Sequence, residues 1–124
     1  MKLEDIGFYT LSERRAKNVS WESDLMRCEL ILTDACNFKC PYCRGLAEPY
    51  RGTLSLAEAK QIVRLWAQGN LHNVRFSGGE PTIWPGLVEL VEYTKAMPSI
   101  ERIAISTNGS ADLELYQQIG RAHV

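Results

Sequence analysis

The sequence predicts an α/β protein of three consecutive strand–helix units with parallel strands, the opening part of a (β/α) barrel. Three observations carry that prediction. Short apolar strand candidates alternate three times with amphipathic helix candidates between Cys28 and Ile119. Every loop of unusual composition follows a strand rather than precedes one, as at Cys36–Cys43, Gly78–Pro81 and Asn108–Gly109. His123–Val124 stands where a fourth strand would start. Strand–helix order implies right-handed crossovers. These gather the loops that follow the strands on one face, where barrel active sites form. Three units cannot close a barrel, because closure needs enough strands to remove both edges. The expectation is therefore a truncated barrel domain over residues 27–124, with a small open sheet as the plainer alternative and residues 1–26 as a charged arm or extension.

The first strand candidate is Cys28–Thr33, centred on Leu30, Ile31 and Leu32, and Asp34–Gly52 is the loop that follows it. Leu56–Gln68 reads as a helix. Ser55 and Glu58 have capping-box spacing, Leu56, Ala59, Ile62, Val63 and Trp66 share one face, and Gly69–Asn70 supply the stop. His72–Ser77 is the second strand and Gly86–Met97 the second helix, with Leu87, Leu90, Val91, Thr94 and Met97 as its buried stripe and Pro98 closing it. Arg102–Thr107 is the third strand. Asp112–Ile119 is the third helix, with Leu113, Tyr116 and Ile119 inward and Gly120 at its end. Within the arm, Phe8, Tyr9 and Trp21 are the candidate anchors.

Composition narrows the function. Of 124 residues 45% are hydrophobic, enough for a packed core, and 14 basic against 15 acidic residues leave a formal net charge of -1. That balance gives no pull toward nucleic acid or an anionic membrane. No stretch approaches the roughly 18 apolar residues of a membrane span, and the first ten residues, with Lys2, Glu4 and Asp5, lack the hydrophobic block of a secretion signal. A cytoplasmic location is expected. Three of the four cysteines lie within eight residues. In a reducing compartment that crowding reads as metal ligation or redox chemistry, not as a disulfide set.

Cys36, Cys40 and Cys43 are spaced by four and then three residues. Thiolates are soft donors suited to iron–sulfur clusters, zinc or copper(I). A structural zinc site needs four protein ligands, and only three cluster here. Cys28 falls within a predicted strand and reads as a core cysteine, while His72 and His123 have no ligand-like spacing to the trio. Three thiolates on a [4Fe–4S] cluster leave one iron open to a cofactor or substrate.

The pattern Cys36-x-x-x-Cys40-x-x-Cys43, with Tyr42 before the last cysteine, resembles the signature of the radical S-adenosylmethionine superfamily. Gly78–Gly79–Glu80–Pro81 after the next strand and Ser106–Thr107–Asn108–Gly109 after the third are similar to two further motifs of that family, in the same order. The resemblance spans residues 27–124 and implies the N-terminal units of a partial parallel (β/α)6 barrel. It implies a [4Fe–4S] cluster held by Cys36, Cys40 and Cys43. The open iron would bind S-adenosylmethionine, whose reductive cleavage yields methionine and a 5′-deoxyadenosyl radical that takes hydrogen from a substrate. It places Tyr42 by the adenine, Gly78, Gly79 and the Glu80 region at the methionine amino group, and Ser106 or Thr107 with Asn108 near the carboxylate or ribose. An electron donor such as flavodoxin or ferredoxin is implied, with a small molecule or peptide as substrate. The arrangement is similar both to the enzyme that rearranges GTP in molybdenum-cofactor synthesis and to peptide-modifying members.

The residue chemistry agrees. Glycines allow close backbone approach, a carboxylate such as Glu80 accepts charge-assisted hydrogen bonds from an ammonium, and the cofactor carries the difficult chemistry. Phe38, Trp66 and Trp84 read as core or loop anchors, and Lys39, Arg44 and Arg51 as surface cations or contacts for an anionic partner. Glu29 and Arg75, each within a predicted strand, form a candidate ion pair, since burying either charge alone is costly. Two other classes compete: a structural zinc or interaction module, and a truncated family member without activity.

Overall fold

The computed structural model describes residues 20–43 and 52–123. Three strands, β1 (Arg27–Ile31), β2 (Asn73–Ser77) and β3 (Arg102–Ile105), form one parallel sheet in the order β1-β2-β3. Helices α1 (Leu56–Gln68), α2 (Leu87–Lys95) and α3 (Leu113–His123) follow them in turn. The predicted α/β order and parallel pairing are therefore present.

Alternation along each strand separates two faces. Leu30, Val74 and Phe76 are buried under the helices, with Cys28, Ile103 and Ile105 packed at the margin of the same core. The opposite, helix-free face carries Arg27, Glu29, Arg75 and Ala104, with Glu29, Arg75 and Ala104 in register across the sheet. Glu29 and Arg75 are thus neighbours as expected, but no ion pair joins them among the described residues. Glu29 is exposed, and the Arg75 Nε is buried without a hydrogen-bond partner.

Local signals explain the helices. α1 begins at the predicted capping box: Glu58 N donates to Ser55 Oγ at 3.1 Å and Ser55 N donates to Glu58 Oε2 at 2.7 Å. Ala59 and Val63 are buried, and Leu56, Ile62 and Trp66 pack against the core. α2 is two residues shorter at its C-terminal end than predicted and starts after Gly86, whose φ of 99° suits glycine. Its stripe is the expected one, with Leu87, Leu90, Val91 and Thr94 buried.

The third unit departs from expectation. Gly120 does not end its helix; α3 continues to His123, so no fourth strand begins there, and Val124 lies outside the described residues. A glycine inside a helix lowers stability by about 1 kcal/mol, which flanking packing by Ile119 and Ala122 tolerates. Leu113 is 72% exposed, while Ile119 and Ala122 meet the core, so the buried face is rotated from the predicted one. Trp21 is fully exposed and anchors nothing; Phe8 and Tyr9, like Arg44 and Arg51, lie outside the described residues. Trp84, by contrast, is buried and its Nε1 donates to the Leu54 carbonyl at 2.8 Å.

At the end of the sheet away from the cysteine loop, His72 bridges two carboxylates: Nε2 lies 3.1 Å from Asp24 Oδ2 and Nδ1 3.1 Å from Glu101 Oε1. Hydrogen bonds donated by the ring to Asp24 and then to Glu101 raise the histidine pKa above its usual 6.5. A raised folded-state pKa contributes stability fully present below the unfolded value and lost as pH rises through the folded one. Asp24, hydrogen-bonded to Asn70 and His72, is held below its usual 3.8, so its contribution is lost only as pH falls through that lowered value. His72→Gln is therefore expected to lower the urea midpoint most between about pH 4 and 6.5 and progressively less at alkaline pH. A pH-independent difference would refute the bridge.

Candidate functional site

The three motif loops are stitched together by the backbone. Parallel pairing continues past β1 and β2: Leu32 N donates to Ser77 O at 2.9 Å, Gly79 N to Thr33 O at 2.7 Å and Glu80 N to Ala35 O at 2.9 Å. A Cβ on Gly78 would collide with the Thr33 carbonyl, and one on Gly79 with the backbone of Asp34 and Ala35. The two glycines thus serve a close approach between the segment leading into Cys36 and the segment leading into Glu80. A neck closes the cysteine loop behind Cys36. Asp34 N donates to Gly52 O at 3.1 Å, Leu54 N donates to Leu32 O at 2.9 Å, and the Thr33 and Thr53 hydroxyls meet at 2.7 Å.

On this loop Cys36 and Cys43 are exposed and Cys40 is half-buried, all as free thiols. Cys43 N donates to Cys40 O at 3.0 Å, placing those two cysteines on one turn, and Phe38 N donates to Cys36 Sγ at 3.4 Å. Tyr42 stands almost fully exposed beside Cys40, whose thiol pushes the phenol pKa up. Phe38 and Lys39 are exposed on the same loop. Cys28 is half-buried against the core, where burial raises its pKa, as expected of a packing cysteine.

Glu80 is the most committed side chain of the site. Only 1% exposed, its Oε1 accepts from Thr107 Oγ1 at 2.6 Å, Thr82 Oγ1 at 2.7 Å and Thr82 N at 3.1 Å, and its Oε2 accepts from Asn108 N at 2.7 Å. Burial alone would raise its pKa, but the bonds donated by Thr107, Asn108 and Thr82 outweigh it and hold the carboxyl below the usual range. The carboxylate thus faces inward, and the part of this loop left exposed is Gly78. Ser106, Thr107 and Asn108 follow β3 and are exposed; Ser106 N extends the sheet by donating to Phe76 O at 3.0 Å. Asn108 Nδ2 donates to Asn37 Oδ1 at 2.9 Å, bringing the third loop onto the first.

All ten sequence-derived site residues therefore lie on three contiguous loops at the C-terminal ends of the strands. Sequence reasoning missed Thr33, Asn37, Thr82 and Ser110, which hold those loops in place. Thr82 and Asn37 adjoin recognised motifs, but nothing local reveals that Asn37 meets a residue 71 positions away.

The donor set suits a thiolate-ligated cluster: three soft sulfurs lie on one loop, and the Phe38 N–H is directed at Cys36 Sγ. Among the described residues no three His, Cys, Asp or Glu side chains are already gathered into a metal-holding group, so a bound cluster would draw the thiols together. Neither Cys28, packed on the core, nor His72, at the far end of β2 between two carboxylates, is placed to complete a four-ligand zinc site.

The chain belongs to the radical SAM superfamily: the family's sequence model matches residues 30–124. The chain is similar to GTP 3',8-cyclases. It is 37% identical to that of Haemophilus ducreyi over 100 residues, 73% of this chain and 29% of the relative. It is 34% identical to that of Actinobacillus pleuropneumoniae serotype 5b over 119 residues, 85% of this chain and 34% of the relative. Molybdenum cofactor biosynthesis protein 1 of Drosophila melanogaster is 35% identical over 95 residues, 73% of this chain and 17% of the relative. The chain thus spans about a third or less of the length of these relatives. Membership of the family makes this an enzyme-family domain whose three strand–helix units fit a partial barrel.

Proposed function

We propose that Cys36, Cys40 and Cys43 hold a [4Fe–4S] cluster and that the glycine loop and the Ser106–Asn108 loop bind S-adenosylmethionine at its open iron. The observation that carries this reading is the interlocking of the three motif loops into one surface, with free thiols on one loop and Gly78 exposed on the next. When bound, such a cluster supplies the electron that splits the sulfonium C5′–S bond, giving methionine and a 5′-deoxyadenosyl radical. The chain's own residues position. The exposed Gly78 presents bare backbone to the methionine end, Thr107 and Asn108 present polar groups at the strand end, and Tyr42 offers a ring face to the adenine.

The relatives are named for GTP. Arg75 on the helix-free face, with a buried Nε lacking a partner, suits an anionic substrate of that class. A flavodoxin- or ferredoxin-type donor is the proposed electron source, and a reducing cytoplasm suits the free thiols. No helix among the described residues is long and apolar enough to cross a membrane.

The test is anaerobic reconstitution with iron and sulfide, then incubation with dithionite and S-adenosylmethionine, reading 5′-deoxyadenosine. The protein is expected to form it, and Cys40→Ala to reduce it to background. Product surviving Cys40→Ala would mean the site is misassigned. Stoichiometric zinc with no cubane would favour the zinc module, and a loaded cluster without product the inactive family member.

A further inference from the structure

Two side chains, Glu80 and Asn37, join the three loops into a continuous hydrogen-bonded brace. Glu80 binds its own loop through Thr82 and the loop after β3 through Thr107 Oγ1 and Asn108 N, as given above. Asn108 then clasps the cysteine loop. Its Nδ2 donates to Asn37 Oδ1 at 2.9 Å, Asn37 Nδ2 donates to Ser110 Oγ at 2.8 Å, and Ser110 N donates back to Asn108 Oδ1 at 3.0 Å. Asn37 directly follows Cys36, and it uses both ends of its carboxamide in this ring.

The geometry points to Asn37 and Glu80 as positioning residues for S-adenosylmethionine, holding the Thr107–Ser110 segment on the cysteine loop so that the cofactor meets a pre-assembled surface. This inference rests on the reading of the site proposed above and deepens it. The family resemblance places the Glu80 region at the methionine amino group, but here both oxygens of the buried carboxylate are engaged by donors from two loops. A carboxylate is required there for a simple reason. It accepts at both oxygens, whereas a glutamine would turn an NH2 toward donors and leave a buried amide hydrogen without an acceptor. Asn37, though exposed, secures the loop that Glu80 reaches from below. Pre-organisation of this kind raises affinity by lowering the ordering that binding demands.

The experiment uses the full chain, reconstituted anaerobically, with iron content, thermal midpoint and the S-adenosylmethionine titration of the reduced cluster's EPR spectrum. Asn37→Ala is expected to keep iron content and midpoint while weakening S-adenosylmethionine about tenfold. In the metal-free chain it should speed hydrogen exchange at the Ser110 amide. Added to Asn108→Ala, it should weaken the cofactor by less than about twofold more, because it acts through Asn108. Glu80→Gln should act in the same direction, and should it fail to fold, the Asn37 variants alone decide. Wild-type affinity and unchanged exchange in Asn37→Ala would overturn the inference while leaving the site reading intact. So would independent, multiplying losses in the double variant, or lost iron in Asn37→Ala. A wild-type spectrum that ignores S-adenosylmethionine would instead remove the site reading itself, and the inference with it.

Discussion

Gly79→Ala is expected to disable the site, lowering stability by about 1–3 kcal/mol and weakening S-adenosylmethionine by about 100-fold or more, the equivalent of about 2.7 kcal/mol. The added methyl would enter the backbone of Asp34 and Ala35, and backbone cannot rotate aside as a side chain can. Relief requires moving apart the two segments joined by Gly79 N to Thr33 O and Glu80 N to Ala35 O. The first leads directly into Cys36 and the second into Glu80, so the separation spreads to both the thiols and the brace. Gly120→Ala makes the contrast. Nothing lies within 4 Å of its added methyl and the residue is helical, so that change should stabilise by about 0.5–1 kcal/mol. Urea midpoints for the two variants, with an S-adenosylmethionine titration of the first, check both signs. A Gly79→Ala protein with wild-type stability and affinity would show that the close approach is dispensable.

Trp84→Ala is expected to have the largest effect on stability, about 3–5 kcal/mol. Trp84 is 3% exposed, within the core cluster that also holds Leu87 and Leu90, so truncation empties a large volume that close-packed neighbours fill only partly. The indole N–H also leaves the Leu54 carbonyl, a bond that ties the segment after Pro81 to the neck of the cysteine loop. Against total stabilities of about 5–15 kcal/mol, such a loss removes most of the folded population's margin. Trp84→Phe keeps most of the volume and loses the hydrogen bond, so its expected cost is about 1–2 kcal/mol. Denaturant titration of both variants separates the two contributions. A loss in Trp84→Ala no larger than that in Trp84→Phe would show that the ring's packing contributes little.

The elements that sequence revealed are those whose causes are local. The capping box at Ser55 and Glu58, the apolar spacing of Leu56 to Trp66 and the Leu87–Thr94 stripe are written within a few turns of chain, and α1 has the predicted bounds. The three loops were legible because glycine pairs and cysteine spacings are rare outside special chemistry. The third unit was misread where signals are permissive. Gly120 is a frequent helix terminator but not an obligatory one, and a rotation of the helix is enough to exchange Leu113 for Ala122 at the core. Glu80 shows the other limit. A carboxylate beside two glycines reads as a ligand, and its inward commitment depends on Thr107 and Asn108, more than 25 residues away. Asn37 was invisible for the same reason.

The most direct test of the account is Mössbauer spectroscopy of the chain reconstituted with iron-57, recorded before and after addition of S-adenosylmethionine. The three proposed thiolate ligands would leave one iron without a protein donor, so a single iron site of the cubane is expected to change its isomer shift on addition while the other three hold theirs. A cubane with four equivalent irons that are indifferent to S-adenosylmethionine would contradict the account.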